Sequence, residues 1–197
     1  MSSISLTKGQ NISLTKTDPT LTKVIIGLGW DENGFDGQDF DLDASAIMLG
    51  SNGKVRTPED FIFYGKLDSN CGAINHTGDN TTGDADGDDE SIVVDLTMIP
   101  ADVQKIVFPV SIYSAKARAQ NFGLVSNAFI RIVNEATGVE VTRYDLTEDY
   151  SVETSLVFAE LYRAGAEWKF KAIGQGFTDG LGGIGRSYGL PLTDEVA

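Results

Sequence analysis

Lys23–Trp30 reads KVIIGLGW. Val24, Ile26, Leu28 and Trp30 occupy alternate positions, and a β-strand places alternate residues on one face. Ile25, Gly27 and Gly29 fall on the other face, where two missing side chains leave room for close approach of another backbone. The same pattern of short apolar runs extends in both directions. Upstream, the pentapeptide ISLTK occurs at Ile4–Lys8 and again at Ile12–Lys16. Gly9-Gln10-Asn11 lies between the copies, a pattern that predicts a β-hairpin. Downstream, DFDLDASAIMLGSNGKV predicts a strand running to Leu49 and a turn at Ser51-Asn52-Gly53. DFIFYGKL and SIVVDL are further strand candidates. KIVFPVSIYSA carries Pro109, which cannot donate to a ladder and so belongs at an edge or a bulge. AKARAQN suits a short helix, with Lys116 and Arg118 facing solvent. Two hairpins are expected around Ala136-Thr137-Gly138 and Ala164-Gly165, followed by a Gly-rich tail with room for a helical turn or two. Many short strands at regular spacing, with no linker and no shift in composition, predict an all-β, two-sheet β-sandwich in a single domain spanning 1–197.

The 197 residues are 41% hydrophobic and 22% charged, which is globular composition. The formal net charge is −14. Such a surface repels nucleic acid and anionic membranes but suits cations. One Cys, Cys71, and one His, His76, exclude an internal disulfide and a structural zinc site. The N-terminus lacks the apolar region of a signal peptide, and no apolar run approaches about 18 residues. A cytoplasmic protein with no direct membrane insertion is expected.

The negative charge is concentrated in two places. WDENGFDGQDFDLDASA holds Asp31, Glu32, Asp36, Asp39, Asp41 and Asp43. HTGDNTTGDADGDDES holds Asp79, Asp84, Asp86, Asp88, Asp89 and Glu90. On a strand, Asp39, Asp41 and Asp43 would share a face, about 7 Å apart, with Phe40, Leu42 and Ala44 opposite. Repulsion between neighbours is then about 2 kcal/mol at an effective dielectric near 20. The segment runs on into SAIMLG, apolar on both faces, so these aspartates emerge from a buried strand and cannot splay freely. A divalent cation would turn that repulsion into binding energy.

The available ligands are oxygens: carboxylates, Asn33, Asn80, Thr81 and glycine carbonyls. Hard oxygen donors suit Ca²⁺ or Mg²⁺, and twelve carboxylates suit two ions. The second run is not an EF-hand. Counting from Asp79, Glu90 falls at position twelve, but position six is Asp84, where that loop needs Gly. A strand connection folded round an ion is expected instead.

GLGWD, GQDFDLDASA, HTGDNTTGDADGDDES, QNFGLVSNAFIRIVN, RYDLTED and ELYRAGAEWKFKAIGQGF together resemble the TerD family of tellurium-resistance and stress-response proteins. The resemblance runs from about Ser3 to Gly176, and the Gly-rich tail departs from the family pattern. It implies a β-sandwich that binds two Ca²⁺ ions through acidic loops at one end. It implies a cytoplasmic protein working with other stress-resistance proteins, with room for a membrane-associated assembly, and no catalytic activity. Carried over residue by residue, the metal set is Asp31, Asp39, Asp41 and Asp43 in the first block. In the second it is Asp79, Asn80, Asp84, Asp86, Asp88, Asp89 and Glu90.

Other constellations carry less. GLGGIG matches a dinucleotide-binding pattern at Gly180, Gly182 and Gly185 but lacks the strand and acidic residue that must follow. His76 is expected to be a loop residue beside the acidic run, Cys71 incidental, and Trp30 and Trp168 core residues. With one His there is no nucleophile–base–orienter set. The expected function is a calcium-binding, non-catalytic stress-response module whose ordered loops form a partner-binding surface. The alternatives are a metal-dependent enzyme acting on phosphoesters or nucleotides, and a stress scaffold that needs no metal.

Overall fold

A computed structural model describes residues 3–32, 38–78, 80–82 and 87–192. Thirteen strands among them build two sheets. In chain order they are β1 (Ile4–Leu6), β2 (Asn11–Ser13), β3 (Lys23–Gly29), β4 (Leu42–Ala44), β5 (Ala46–Leu49) and β6 (Phe61–Ile62). Then follow β7 (Ile74–His76), β8 (Glu90–Asp95), β9 (Lys105–Ile112), β10 (Phe129–Asn134), β11 (Val139–Asp145), β12 (Ser155–Ala164) and β13 (Glu167–Phe177). Three short helices are α1 (Leu14–Thr17), α2 (Ala115–Arg118) and α3 (Gly180–Tyr188). The first sheet has the order β1-β11-β10-β3-β8-β7. The second runs β2-β13-β12-β9-β5-β6, with β4 also paired to β9. No described helix is long and apolar enough to cross a membrane.

The core between the sheets is what the alternation predicts. Val24, Ile26, Leu28 and Trp30 are buried, as are Phe108, Phe158 and Phe170 from the facing sheet. Each large side chain removed from water contributes about 1.5–3 kcal/mol. Trp30 and Trp168 both belong to this core, and the Trp30 indole N–H is satisfied by the Phe40 carbonyl at 3.1 Å. Along β9, Ile106, Phe108, Val110 and Ile112 join the central core. Val107, on the other face, packs with Leu181 and Ile184 of α3 in a second, smaller cluster. The Gly-rich tail therefore forms a helix that covers the outer face of the second sheet. GLGGIG lies inside that helix, with Gly182 and Gly185 buried, so its spacing reflects close packing and not a phosphate cradle.

Three local expectations change. The two ISLTK copies do not pair. The first, in β1, runs parallel to β11 in one sheet, with Ile4 opposite Thr142. The second begins in β2, antiparallel to β13 in the other sheet, then turns into α1. The chain thus crosses between layers where a hairpin was expected. The strand from Asp39 to Leu49 is split into β4 and β5 at Ser45, whose N–H donates to the Pro109 carbonyl at 2.8 Å. Pro109 sits in the middle of a sheet, but at a bulge between Val157 and Ala159, where a missing donor costs least. The space beside Gly27 is filled by a side chain and not by backbone: a Cβ there would collide with the Asp88 carboxylate.

Candidate metal centre

Of the second acidic run, Asp88, Asp89 and Glu90 are described, and each has a contact with another strand. Asp88 lies over Gly27 and accepts from Arg131 Nε at 2.7 Å. Arg131 also reaches Glu140 at 3.1 Å. Burial pulls the Arg131 pKa down, but the two carboxylates outweigh it and hold it above its ordinary value. Asp89 accepts the Trp30 N–H at 2.9 Å, and its own N–H donates to the Leu28 carbonyl at 2.8 Å. Asn80 Nδ2 reaches the other Asp89 oxygen at 3.4 Å.

Glu90 is 2% exposed and spans the sandwich. It starts β8 in the first sheet and accepts the N–H of Ala44 in the second. His76, on β7, completes this link. Its Nδ1 accepts the Gly78 N–H at 3.2 Å, so Nε2 carries the proton and donates to the Ala44 carbonyl at 3.1 Å. The imidazole is therefore neutral, with both nitrogens engaged, and Glu90 stands 3.8 Å from it. Glu90 and His76 satisfy the backbone of Ala44 on the side of β4 away from β9, where no described strand continues the ladder. His76 is buried in a strand, not on a loop.

The first acidic segment is arranged differently. Asp31 is exposed and accepts from Asn127 Nδ2 at 2.5 Å. Asp39 is also exposed, and its carbonyl, with that of Gln38, receives the Gln120 amide. Asp41 and Asp43 are 8% and 6% exposed. Phe40, Leu42 and Ala44 fill the core, which turns Asp41 and Asp43 outward. Together with Tyr64, Thr81 and Tyr113 they line a cleft of roughly 300 Å³. Both terminal nitrogens of Arg118 lie 3.4 Å from Asp41 Oδ2, and the guanidinium sits over the Tyr113 ring at 5.1 Å. Arg118 is thus turned inward, while Lys116 remains exposed. Ser114 and Ala119 flank α2 at φ 51° and 53°, a left-handed conformation that costs a non-glycine residue roughly 1–2 kcal/mol.

The geometry sorts the sequence-selected residues. Asp41 and Asp43 share a cleft, and Thr81 brings the second acidic run to it. Asp31, Asp39, Asp88, Asp89 and Glu90 are not among the residues lining that cleft, and Asn80 caps its own turn through Thr82. Asn33, Asp36, Asp79, Asp84 and Asp86 lie outside the described residues. Among the described residues, no three His, Cys, Asp or Glu side chains converge on one point. The cleft is lined by carboxylates and hydroxyls, and that donor set fits a hard cation. Sequence reading missed Tyr64 and Tyr113, which only folding brings to the acids, placed Arg118 toward solvent, and gave Gln120 no role although it opens the QNFGLVSNAFIRIVN block.

The TerD domain family matches residues 1–188. Tellurium resistance protein TerD of Serratia marcescens is 56% identical over 188 residues, covering 95% of this chain and 98% of the relative. General stress protein 16U of Bacillus subtilis (strain 168) is 54% identical over 190 residues, covering 96% and 98%. Among solved structures, a homologue of telluride resistance protein from Streptomyces coelicolor A3(2) superposes with a TM-score of 0.59 at 22% identity. That match covers 80% of this chain and 90% of the other, and it shows the fold. On the sequence matches, which span nearly all of both partners, the chain belongs to the TerD family.

Proposed function

We propose that this chain is a calcium-binding, non-catalytic stress-response protein associated with tellurium resistance, in which Ca²⁺ orders the acidic end of the sandwich into a surface for another stress-resistance protein. The observation that carries this reading is the cleft between Asp41, Asp43 and Thr81. It presents two largely buried carboxylates and a hydroxyl from separate segments, with no nitrogen or sulfur donor among its lining residues. Asp41, Asp43 and Thr81 would hold one ion there. The sequence run that holds Thr81 also holds Asp79, Asp84 and Asp86, which supply the charge for a second. When bound, the ion neutralises the carboxylates and cross-links two segments that are far apart in sequence. Relatives named for tellurium resistance and general stress support the biological setting.

The non-catalytic part rests on the described side chains. Both nitrogens of His76 are engaged inside the sandwich, so it cannot act as a base on a bound substrate. Cys71 is half-buried with Ser69 Oγ at 3.5 Å and has no second thiol to resolve an oxidised state. Calorimetric titration of chelator-treated protein with Ca²⁺ tests the proposal. Heat with a stoichiometry near two, abolished at one site by Asp41→Asn, is expected. A flat titration would remove calcium from the account.

A further inference from the structure

Arg118 occupies the carboxylate that the calcium reading assigns to the metal. Its two terminal nitrogens reach one oxygen of Asp41 at 3.4 Å. Two arginine pairs elsewhere are shorter, at 2.7 Å for Arg56–Asp60 and for Arg131–Asp88, and Arg186–Asp179 is longer, at 3.7 Å. The long pair is nonetheless held in place from several sides. Tyr113 lies under the guanidinium and its N–H donates to the Asp41 carbonyl at 2.8 Å. Gln120 donates to the carbonyls of Gln38 and Asp39 at 2.8 and 3.3 Å, while its own Oε1 is buried without a hydrogen-bond partner. Helix α2 is a single turn whose two flanking residues, Ser114 and Ala119, are both left-handed. A charged contact therefore anchors a short, strained segment to the acidic strand.

We propose that Arg118 is a tethered counter-ion that competes with the divalent cation for Asp41, so that cation entry releases α2. The inference rests on the calcium reading of the cleft. A guanidinium and a divalent ion held at one carboxylate repel each other and share its single negative charge. Occupancy by the ion displaces Arg118, and the segment it anchored loses its charged tie to the strand. Arg118 therefore does two things. It shields the Asp41 charge when metal is scarce, and it converts metal binding into a local loosening of α2. It is a positioning residue, acting through Asp41.

Amide hydrogen exchange on the unmodified chain, with chelator and then with excess Ca²⁺, reads the release directly. The amides of Arg118, Ala119 and Gln120, which close the turn onto Ser114, Lys116 and Ala115, are expected to exchange at least tenfold faster with calcium. The acidic strand should slow over the same step. Arg118→Gln is expected to bind Ca²⁺ about tenfold more tightly and to lose the calcium-dependent change in these amides. Calcium binding without faster exchange, or with an Arg118→Gln affinity within twofold of the native value, overturns the competition and leaves the calcium reading standing. No calcium binding to the native chain overturns both. If Arg118→Gln fails to fold, the exchange measurement on the native chain decides alone.

Discussion

The two acidic segments look alike in sequence and do different work in the fold. Asp88, Asp89 and Glu90 close the sandwich: one neutralises Arg131, one holds the end of β3, and one ties β8 to β4. Asp41 and Asp43 instead open onto a cleft, and their nearest described cation is Arg118, at 3.4 Å from Asp41. The difference is one of place: the first three take part in contacts that join strands and sheets, while Asp41 and Asp43 line a cleft with Tyr64, Thr81 and Tyr113.

That contrast can be broken by substitution. Glu90→Ala should have the largest effect, since it strips a buried acceptor from the Ala44 N–H. A loss of about 3 kcal/mol is expected, or a fall of roughly 6–12 °C in melting temperature, with and without calcium. A melt within 2 °C of the native protein would show that the segment does not brace the sheets. Gly27→Ala should cost about 1–3 kcal/mol by driving a methyl into Asp88. Asp88→Ala in the same chain should recover part of that loss, because the two effects share one contact.

Asp41→Asn and Asp43→Asn should behave in the opposite way. In chelator their stability stays within about 1 kcal/mol of native, while the calcium-induced stabilisation disappears. A loss in chelator as large as that of Glu90→Ala would place these residues in the structural class.

The smallest effect is a reference that needs no metal. Asp95, at the end of β8, sits below its ordinary value of 3.8. Burial pushes it up, but the Thr97 hydroxyl and N–H, with Lys23, outweigh that. Asp18 is also held below 3.8, by Thr20 and Asn134. Groups with depressed folded values stabilise the fold above their unfolded pKa, and that contribution is lost as the pH falls through the folded value. The urea midpoint in chelator should therefore fall below about pH 4, and Thr97→Val should flatten the decline. An unchanged slope in Thr97→Val would reject this assignment.

Much of this was legible in the chain. Alternation along Val24–Trp30 placed one wall of the core, and Gly-centred turns placed the β10–β11 and β12–β13 hairpins. The fate of the ISLTK copies was not legible, because strand pairing is decided by partners more than a hundred residues away, Thr142 and Lys169 among them. The family resemblance pointed to the acidic segments as a set. It did not divide them, because Arg131, Ala44 and Trp30 claim their carboxylates only through tertiary contacts. Gly27 carried a real signal, with the wrong tenant inferred: an aspartate fills the space.

The central claim is that calcium occupies the acidic end of the sandwich. A thermal melt in chelator, repeated with Ca²⁺ and with Mg²⁺ at about 100 times the dissociation constant, tests it most directly. Binding at that ratio adds about 2.7 kcal/mol, or roughly 5–10 °C for a chain of this size, and the rise should be specific to Ca²⁺ and absent in Asp41→Asn. A melting temperature unmoved by either ion would contradict the account and leave a TerD-family β-sandwich whose acidic segments hold no calcium.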